Sequence, residues 1–492
     1  MKYIPENFKM WDAWFMNVNG NVHAFHLKKQ PGLWNIGHLV TDDLLHFKKC
    51  EDVLEPLSEE THPDDCLGKF TGCAWYESNE KKAYVYYTMR AVDGSEKIGL
   101  ATSTDLEKLD EYEGNPVLEI DKDIFVESSA VNGHTDCRDF VVVYDEKTKL
   151  YYGYFAAMAQ IDGNLKGVIG VAVSDDLVNW RDQSIAYAPN FNGVIEVPDV
   201  FFMDGRWYLT MLTGSFYGAK GVVDDPDLVK FTLYASSESP RGPFREDTDK
   251  IFICGIRQSG YTCRSVEFEG KRYLFYIEEN ETNCSICLPK EIKVIDGKLR
   301  PCYTELLKKI RKGECAEKLI AADFEVCRTS FAWPTVGGEL HDEDGGLVIR
   351  TKDFSFPQFV YSKMKVGSIE VEAKIKGDCR ECGFIVQTYD DNGTGKERYY
   401  FSLDFAFSQL SVYEDQKPDF TVLKPHSKRR YAFETGREYH VRVIAMEGQF
   451  EIYIDGVLAL QGGMRTNCEM QVGLFSCSGN ARFADIRCFE LE

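Results

Sequence analysis

LYYGYFA at Leu150–Ala156, followed by IGVAVSDDL at Ile169–Leu177, decides the fold, because both halves recur along the chain. Strand-like runs of the same kind are NVHAFHL from Asn21, KAYVYYT from Lys82, RWYLTML from Arg206 and RYLFYI from Arg272. With His23, Tyr84, Tyr152, Tyr208 and Tyr273 taken as equivalents, the steps are 61, 68, 56 and 65 residues. The second marker recurs as IGHLVTDDL from Ile36, IGLATSTDL from Ile98 and, more loosely, FTLYASSES from Phe231. Leu44, Leu106 and Leu177 close it, each seven residues after Gly37, Gly99 or Gly170. Two markers that keep one period imply a repeated structural unit. A unit of this length, with short aromatic and β-branched strands ended by Asp, Asn or Gly turns, is one four-stranded propeller blade. Five such blades fill residues 1–302.

In a propeller the innermost strands begin around a central channel, so equivalent residues of different blades converge there. Counting back 11 residues from His23, 13 from Tyr152 and 12 from Tyr208 reaches Asp12, Asp139 and Glu196. Blades two and five place Gly72 or Cys73 and Tyr261 at the matching position. Gathered carboxylates repel one another and raise at least one pKa, a cost that suggests a use. A turn cap or a structural cation would account for any one of these acids. It accounts less well for three in phase with the repeat.

The residues themselves resemble glycoside hydrolase family 32, which includes invertases, levanases and inulinases. GVIEVPDVFFMDGRWYL (Gly193–Leu209) resembles the family's acid/base segment, in which E-C-P-D precedes a hairpin. TDCRDFVVVYDEKTKLYYGYF (Thr135–Phe155) resembles its R-D-P segment, FTGCAW (Phe70–Trp75) its F-S-G-S-A segment, and IGHLVTDDLLHF (Ile36–Phe47) its W-G-H run. ICLPKEIKVIDGKL (Ile286–Leu299) is similar to the S-L-P-R-E-L segment after the fifth blade. The resemblance implies a retaining β-fructosidase in which Asp12 is the nucleophile, Asp139 the transition-state stabiliser and Glu196 the general acid/base. Arg138 would be the basic partner beside them. A retaining glycosidase needs one ionised carboxylate and one protonated carboxyl on either side of the glycosidic bond. Trp11 stands where the family has asparagine before the nucleophile, and Ala13 where it has proline. Phe140 replaces the R-D-P proline, Val197 the cysteine after the acid/base, Leu27 a glutamine and Ile36 the W-G-H tryptophan. Sucrose or short fructo-oligosaccharides are the expected substrates. The alternatives are a related propeller glycosidase or phosphorylase acting on an arabinoside or mannoside, and a carbohydrate-binding protein that has lost catalysis.

Further candidates for the sugar pocket are Trp14, Trp34, Phe70, Trp75 and Tyr261, whose rings can stack on the apolar faces of sugars, and His134 on the loop entering the third inner strand. The same rings would also serve a core. Residues 303–320 are expected to form a helical linker on the amphipathic run YTELLKKIRKG. From residue 321 to 492, alternating segments such as SIEVEAKIKG, EYHVRVIAM and MQVGLFSCSG, with NG, DG and EG turns, predict a concanavalin-like antiparallel sandwich. The resemblance implies that this domain packs rather than binds sugar independently.

A formal charge of −22 argues against nucleic acid, whose phosphates demand basic patches. The N-terminus lacks the apolar segment of a secretion signal and no run is long enough for a membrane helix, so a cytoplasmic protein with reduced thiols at its 16 cysteines is expected. The pairs Cys284/Cys287 and Cys379/Cys382 have no histidine nearby in sequence, and neither a metal nor a cofactor is expected. The expected partner is a small carbohydrate substrate, without nucleic acid or membrane; homo-oligomerisation is left open.

Overall fold

The computed structural model describes all residues except 1–2, 6–7, 30–33, 56–58, 60–62, 128–132, 220–221, 223–228, 257–258, 280–283, 313–316, 319–323, 327–338, 344–345, 352–357, 390–391, 394, 416–424 and 465–468. The chain divides into two compact units, Met1–Pro301 and Cys302–Glu492.

The first unit is a five-bladed β-propeller. Blade one consists of Lys9–Val18, Asn21–Lys29, Trp34–Thr41 and Lys48–Lys49; blade two of Gly68–Glu77, Lys82–Arg90, Glu96–Ser103 and Asp110–Glu111. Arg138–Asp145, Leu150–Ile161, Asn164–Ser174 and Arg181–Tyr187 make blade three. Blade four has Glu196–Met203, Arg206–Thr213, Phe231–Ser237 and Arg245–Ile256; blade five begins with Ser259–Phe268 and Lys271–Glu279 and ends with Lys290–Ile295 and Lys298–Cys302. Successive strands of a blade pair antiparallel, inside to outside.

The repeated marker has one physical meaning in three blades. Thr41, Ser103 and Ser174 each donate their hydroxyl to the aspartate two residues on, Asp43, Asp105 and Asp176, at 3.0–3.1 Å. Those carboxylates accept the backbone N–H groups of the two residues after the leucine, which closes a tight turn. The leucines Leu44, Leu106 and Leu177 sit at φ 65°, 63° and 66°, an unusual conformation for this residue type. At the start of the marker, a Cβ on Gly37, Gly99 or Gly170 would meet the ring of His26, Tyr87 or Phe155 at 2.4–2.7 Å. Each glycine makes room for the aromatic ring of the neighbouring strand.

The ladder corrects the repeat register read from the sequence. Ala24, opposite Phe15, is the residue equivalent to Tyr84, Tyr152, Tyr208 and Tyr273; His23 lies one place off. All five innermost strands carry one extra residue at the same level, between the pairs Met10/Ala13, Phe70/Cys73, Arg138/Val141, Glu196/Asp199 and Tyr261/Arg264. Glu196 is therefore the residue before the bulge, Asp139 the first within it and Asp12 the second. The three carboxylates occupy successive positions, not one shared position. Bulges re-aim side chains and bend the strand, so different blades can deliver acids to one place from different steps.

In the second unit, two long strands, Ile369–Tyr389 and Glu469–Glu490, pair along their length. The first half of Ile369–Tyr389 also pairs with Glu438–Met446 and the second half with Gly395–Asp404, so the strand passes from one sheet of the sandwich to the other. Between the sheets lie Val371, Ile375, Phe384, Phe401, Val443, Ile452, Leu474 and Phe483, all nearly inaccessible. Among its described residues, the segment expected as a helical linker holds a six-residue 3-10 helix, Glu305–Ile310, capped by Thr304, and the two-residue strand Glu317–Lys318, and it is counted with the second unit. Leu306, Leu307 and Ile310 are the apolar positions behind its amphipathic pattern, and all three are buried.

Candidate active site

Asp12, Asp139, Glu196 and Arg138 meet at the bulged level of the channel. Asp12 is buried; its Oδ2 accepts from Thr71 Oγ1 at 2.5 Å, and its Oδ1 has no hydrogen-bond partner among the described residues. Burial pushes the Asp12 carboxyl up to about 6, with Glu196 adding to the rise while Thr71 and Arg264 oppose it. Asp139 has φ 59°, and its Oδ2 accepts the backbone N–H of Val197 at 2.9 Å. Burial raises its pKa, and Arg138 works against that rise while Glu196 and Asp12 add to it. A short relay joins the two acids: Asp139 N–H donates to Thr88 Oγ1 at 3.1 Å, Thr88 donates to the Thr71 carbonyl at 2.7 Å, and Thr71 donates to Asp12.

Glu196 is the most exposed of the three acids, at 22% for its side chain. Arg138 Nη2 donates to its Oε1 at 2.8 Å, and the Tyr217 hydroxyl hydrogen-bonds it as well. Arg138 is fixed from behind by Glu96 at 3.0 Å and by Asp136, and its Nε lies 3.8 Å from Asp139 Oδ2. Those four acids hold the guanidinium firmly in its charged form. Glu96 in turn accepts from Arg90, whose guanidinium lies 4.2 Å from the centre of the Phe70 ring. Phe70 neighbours Trp34 at 6.3 Å, and Trp34 neighbours Trp11 at 6.4 Å. An aromatic wall thus runs from Asp12's neighbour to the arginine array.

Trp14, Trp75 and His134 are placed elsewhere. Trp14 is buried against Phe25 in the core between blades one and two, and Trp75 meets Tyr151 edge-on. Both line a separate cavity of about 460 Å³ beside Arg264 and Arg272, because both follow the bulge along their inner strands, past the step that carries the acids. His134 stands one step back, with Nε2 3.8 Å from Asp136. Tyr261 lies in the fifth inner strand, and its side chain falls outside the described residues. Phe140, in place of the family's proline, is buried between Tyr86 and Trp180. Glu96, His134 and Asp136 lie close enough together to suggest a metal. Arg90 and Arg138 already supply positive charge to this trio, which disfavours a further cation.

Sequence reasoning missed Thr71, Glu96, Asp136, Tyr217 and Arg264. Thr71 sits inside the quoted FTGCAW segment, while Tyr217 belongs to a three-residue 3-10 turn, Ser215–Tyr217, that carries no pattern.

The model of the glycosyl hydrolases family 32 N-terminal domain matches residues 14–275, just over half of the chain. The chain belongs to glycosyl hydrolase family 32. This family 32 protein is a glycoside hydrolase, and the match begins two residues after Asp12. Its fold is shared by the exo-inulinase of Aspergillus awamori, with TM-score 0.69, 14% identity and coverage of 100% of this chain and 97% of the other. A β-fructofuranosidase of Bombyx mori superposes with TM-score 0.65 at 14% identity, covering 99% and 93% of the two chains. The sucrose-6-phosphate hydrolase of Lactobacillus gasseri gives TM-score 0.66 at 13% identity, covering 99% and 93%. The search of curated proteins found no match. Among the described residues no helix is long and apolar enough to cross a membrane, and the 13 described cysteines form no disulfide with one another.

Proposed function

We propose that the enzyme removes terminal β-fructofuranosyl units from sucrose or short fructo-oligosaccharides by a retaining double displacement. The observation that carries this reading is the convergence of a buried carboxylate with one unbonded oxygen, Asp12, and a partly exposed carboxyl, Glu196, at one level of the channel. Asp12 Oδ1 attacks the anomeric carbon while Glu196 gives its proton to the departing oxygen, and the C–O bond breaks as the glycosyl–Asp12 ester forms. Glu196 then takes a proton from water, whose oxygen displaces Asp12 and releases free fructose. Asp139, fixed by the Val197 N–H, holds sugar hydroxyls as positive charge develops on the ring. Arg138 is the basic partner that orients Glu196. Trp34 and Phe70 supply apolar ring surface beside Trp11, the residue before Asp12. Described cysteines that form no disulfide with one another suit a reducing, cytoplasmic setting.

Titration of free monosaccharides released from sucrose, short inulin-type sugars, arabinosides and mannosides tests the reading. Fructose from the first two supports it. Release of arabinose, or of a mannosyl product only when phosphate is added, would assign the site to another glycone. Binding of sugars without release of any would assign a binding protein.

A further inference from the structure

The bulges that carry the acids leave backbone carbonyls outside the strand ladder, buried at the centre of the channel. The extra residue of a bulge has no ladder partner, and a buried carbonyl without a donor is costly. One side chain answers three of these carbonyls. Arg264, from the fifth inner strand and itself 2% exposed, donates through Nη2 to Gly72 O at 3.3 Å and to Asp139 O at 3.2 Å, and through Nη1 to Pro198 O. All three acceptors lie in the bulges of other blades: blade two beside Thr71, blade three at Asp139 itself, and blade four two residues after Glu196.

We propose that Arg264 is the positioning residue of the site, a guanidinium hub that fixes the bulges of blades two, three and four and so sets where Asp12, Asp139 and Glu196 stand. Asp12 is reached through Thr71, which precedes Gly72 and holds its carboxylate. Asp139 is held through its own carbonyl, and Glu196 through the strained turn at Val197, φ 48°, and Pro198. A planar fork with several N–H donors can serve three carbonyls at once, which a lysine ammonium on a flexible stem does not reproduce. Asp199, at the level of Arg264 on the neighbouring blade, interacts with it electrostatically, and its Oδ2 accepts the N–H of Ser265. The two residues are equivalent steps of adjacent inner strands. The hub is therefore built into the blade-four and blade-five register.

This inference rests on the proposed roles of the three acids, and its test separates the two claims. Arg264→Lys keeps the charge and loses the fork; Arg264→Met loses both. Asp12 is also faced by Glu196, Asp139 and Tyr217, which both variants retain. For Arg264→Lys, kcat is expected to fall by about a hundredfold with KM changed little, as for a small misplacement of reacting groups, while the acid limb of kcat/KM stays where it is in the wild type. For Arg264→Met, the same fall is expected with the acid limb moved to higher pH. Amide hydrogen exchange, which needs no activity, should lose at least tenfold protection at Asp139 and Val197 in Arg264→Lys with the outer strands unchanged. A folded Arg264→Lys with wild-type kcat and wild-type exchange at those amides overturns the hub; if Arg264→Met does not fold, the lysine variant alone decides. Wild-type protein that cleaves no glycoside would overturn the proposed function instead, and the exchange measurement would still decide the hub.

Discussion

Thr71→Val removes the hydroxyl that, among the described residues, holds Asp12, while leaving the shape of a buried side chain nearly unchanged. Thr71 is 3% exposed and donates to Asp12 Oδ2 at 2.5 Å, so the lost interaction is a hydrogen bond to a carboxylate. Such bonds contribute about 1.5–3 kcal/mol in favour of the charged partner. At about 1.4 kcal/mol per pH unit, the Asp12 carboxyl should rise by about one to two units. Its starting value of about 6 would then move to about 7 to 8. The acid limb of kcat/KM reports the free enzyme's essential base, and it should move up by that amount. Below pH 6 the variant should be slower by about ten- to a hundredfold. Above pH 8.5 the two enzymes should converge to within about threefold. The assay is release of free fructose from sucrose under first-order conditions across pH 4–9. An unmoved acid limb would show that Asp12 is not the group titrating there. A loss equal at every pH would show that Thr71 acts through packing and not through the Asp12 carboxylate.

Glu196→Gln should lose at least about a thousandfold in kcat on sucrose, but far less on an aryl fructoside whose leaving group needs little protonation; equal losses would remove Glu196 from the acid role. Tyr217→Phe deletes the hydroxyl bonded to Glu196, and kcat should fall about tenfold with KM within about threefold, measured by steady-state kinetics. Asp12→Asn should abolish turnover yet raise the melting temperature. The folded-state carboxyl titrates near 6, above its unfolded value, so ionisation costs stability that is lost as pH rises from about 4 to 6. The gain from Asn should accordingly be absent at pH 4 and full above pH 6 by scanning fluorimetry, and a gain independent of pH would contradict this origin.

The propeller was legible because its signals are local: aromatic alternation makes strands, and the Ser/Thr–Asp–Leu turn closes blades one to three with the same hydrogen bonds. Asp12, Asp139 and Glu196 could be singled out for the same reason. Their exact phase could not. Hairpin lengths differ between blades, and the bulge adds a residue that no alternation pattern reveals, so the register taken from His23 slips by one at Ala24. Period two also does not say which end of the channel a ring faces, and this misplaced Trp14 and Trp75. Tyr217 arrives on a 3-10 turn between strands, and Arg264 reads in sequence as an ordinary surface charge until three blades close around it. The amphipathic run after residue 303 marks burial correctly at Leu306, Leu307 and Ile310 but overstates helix length.

The most direct measurement of the account's central claim is capture of the covalent intermediate. A substrate with an activated leaving group, offered to Glu196→Gln, should let the first step proceed while the second lacks its base, so that the glycosyl–enzyme accumulates. Digestion and mass spectrometry should then find one fructosyl unit on the peptide carrying Asp12, and wild-type product should form with retained anomeric configuration. A label on another carboxylate, or product of inverted configuration, would contradict the assignment of Asp12 as nucleophile.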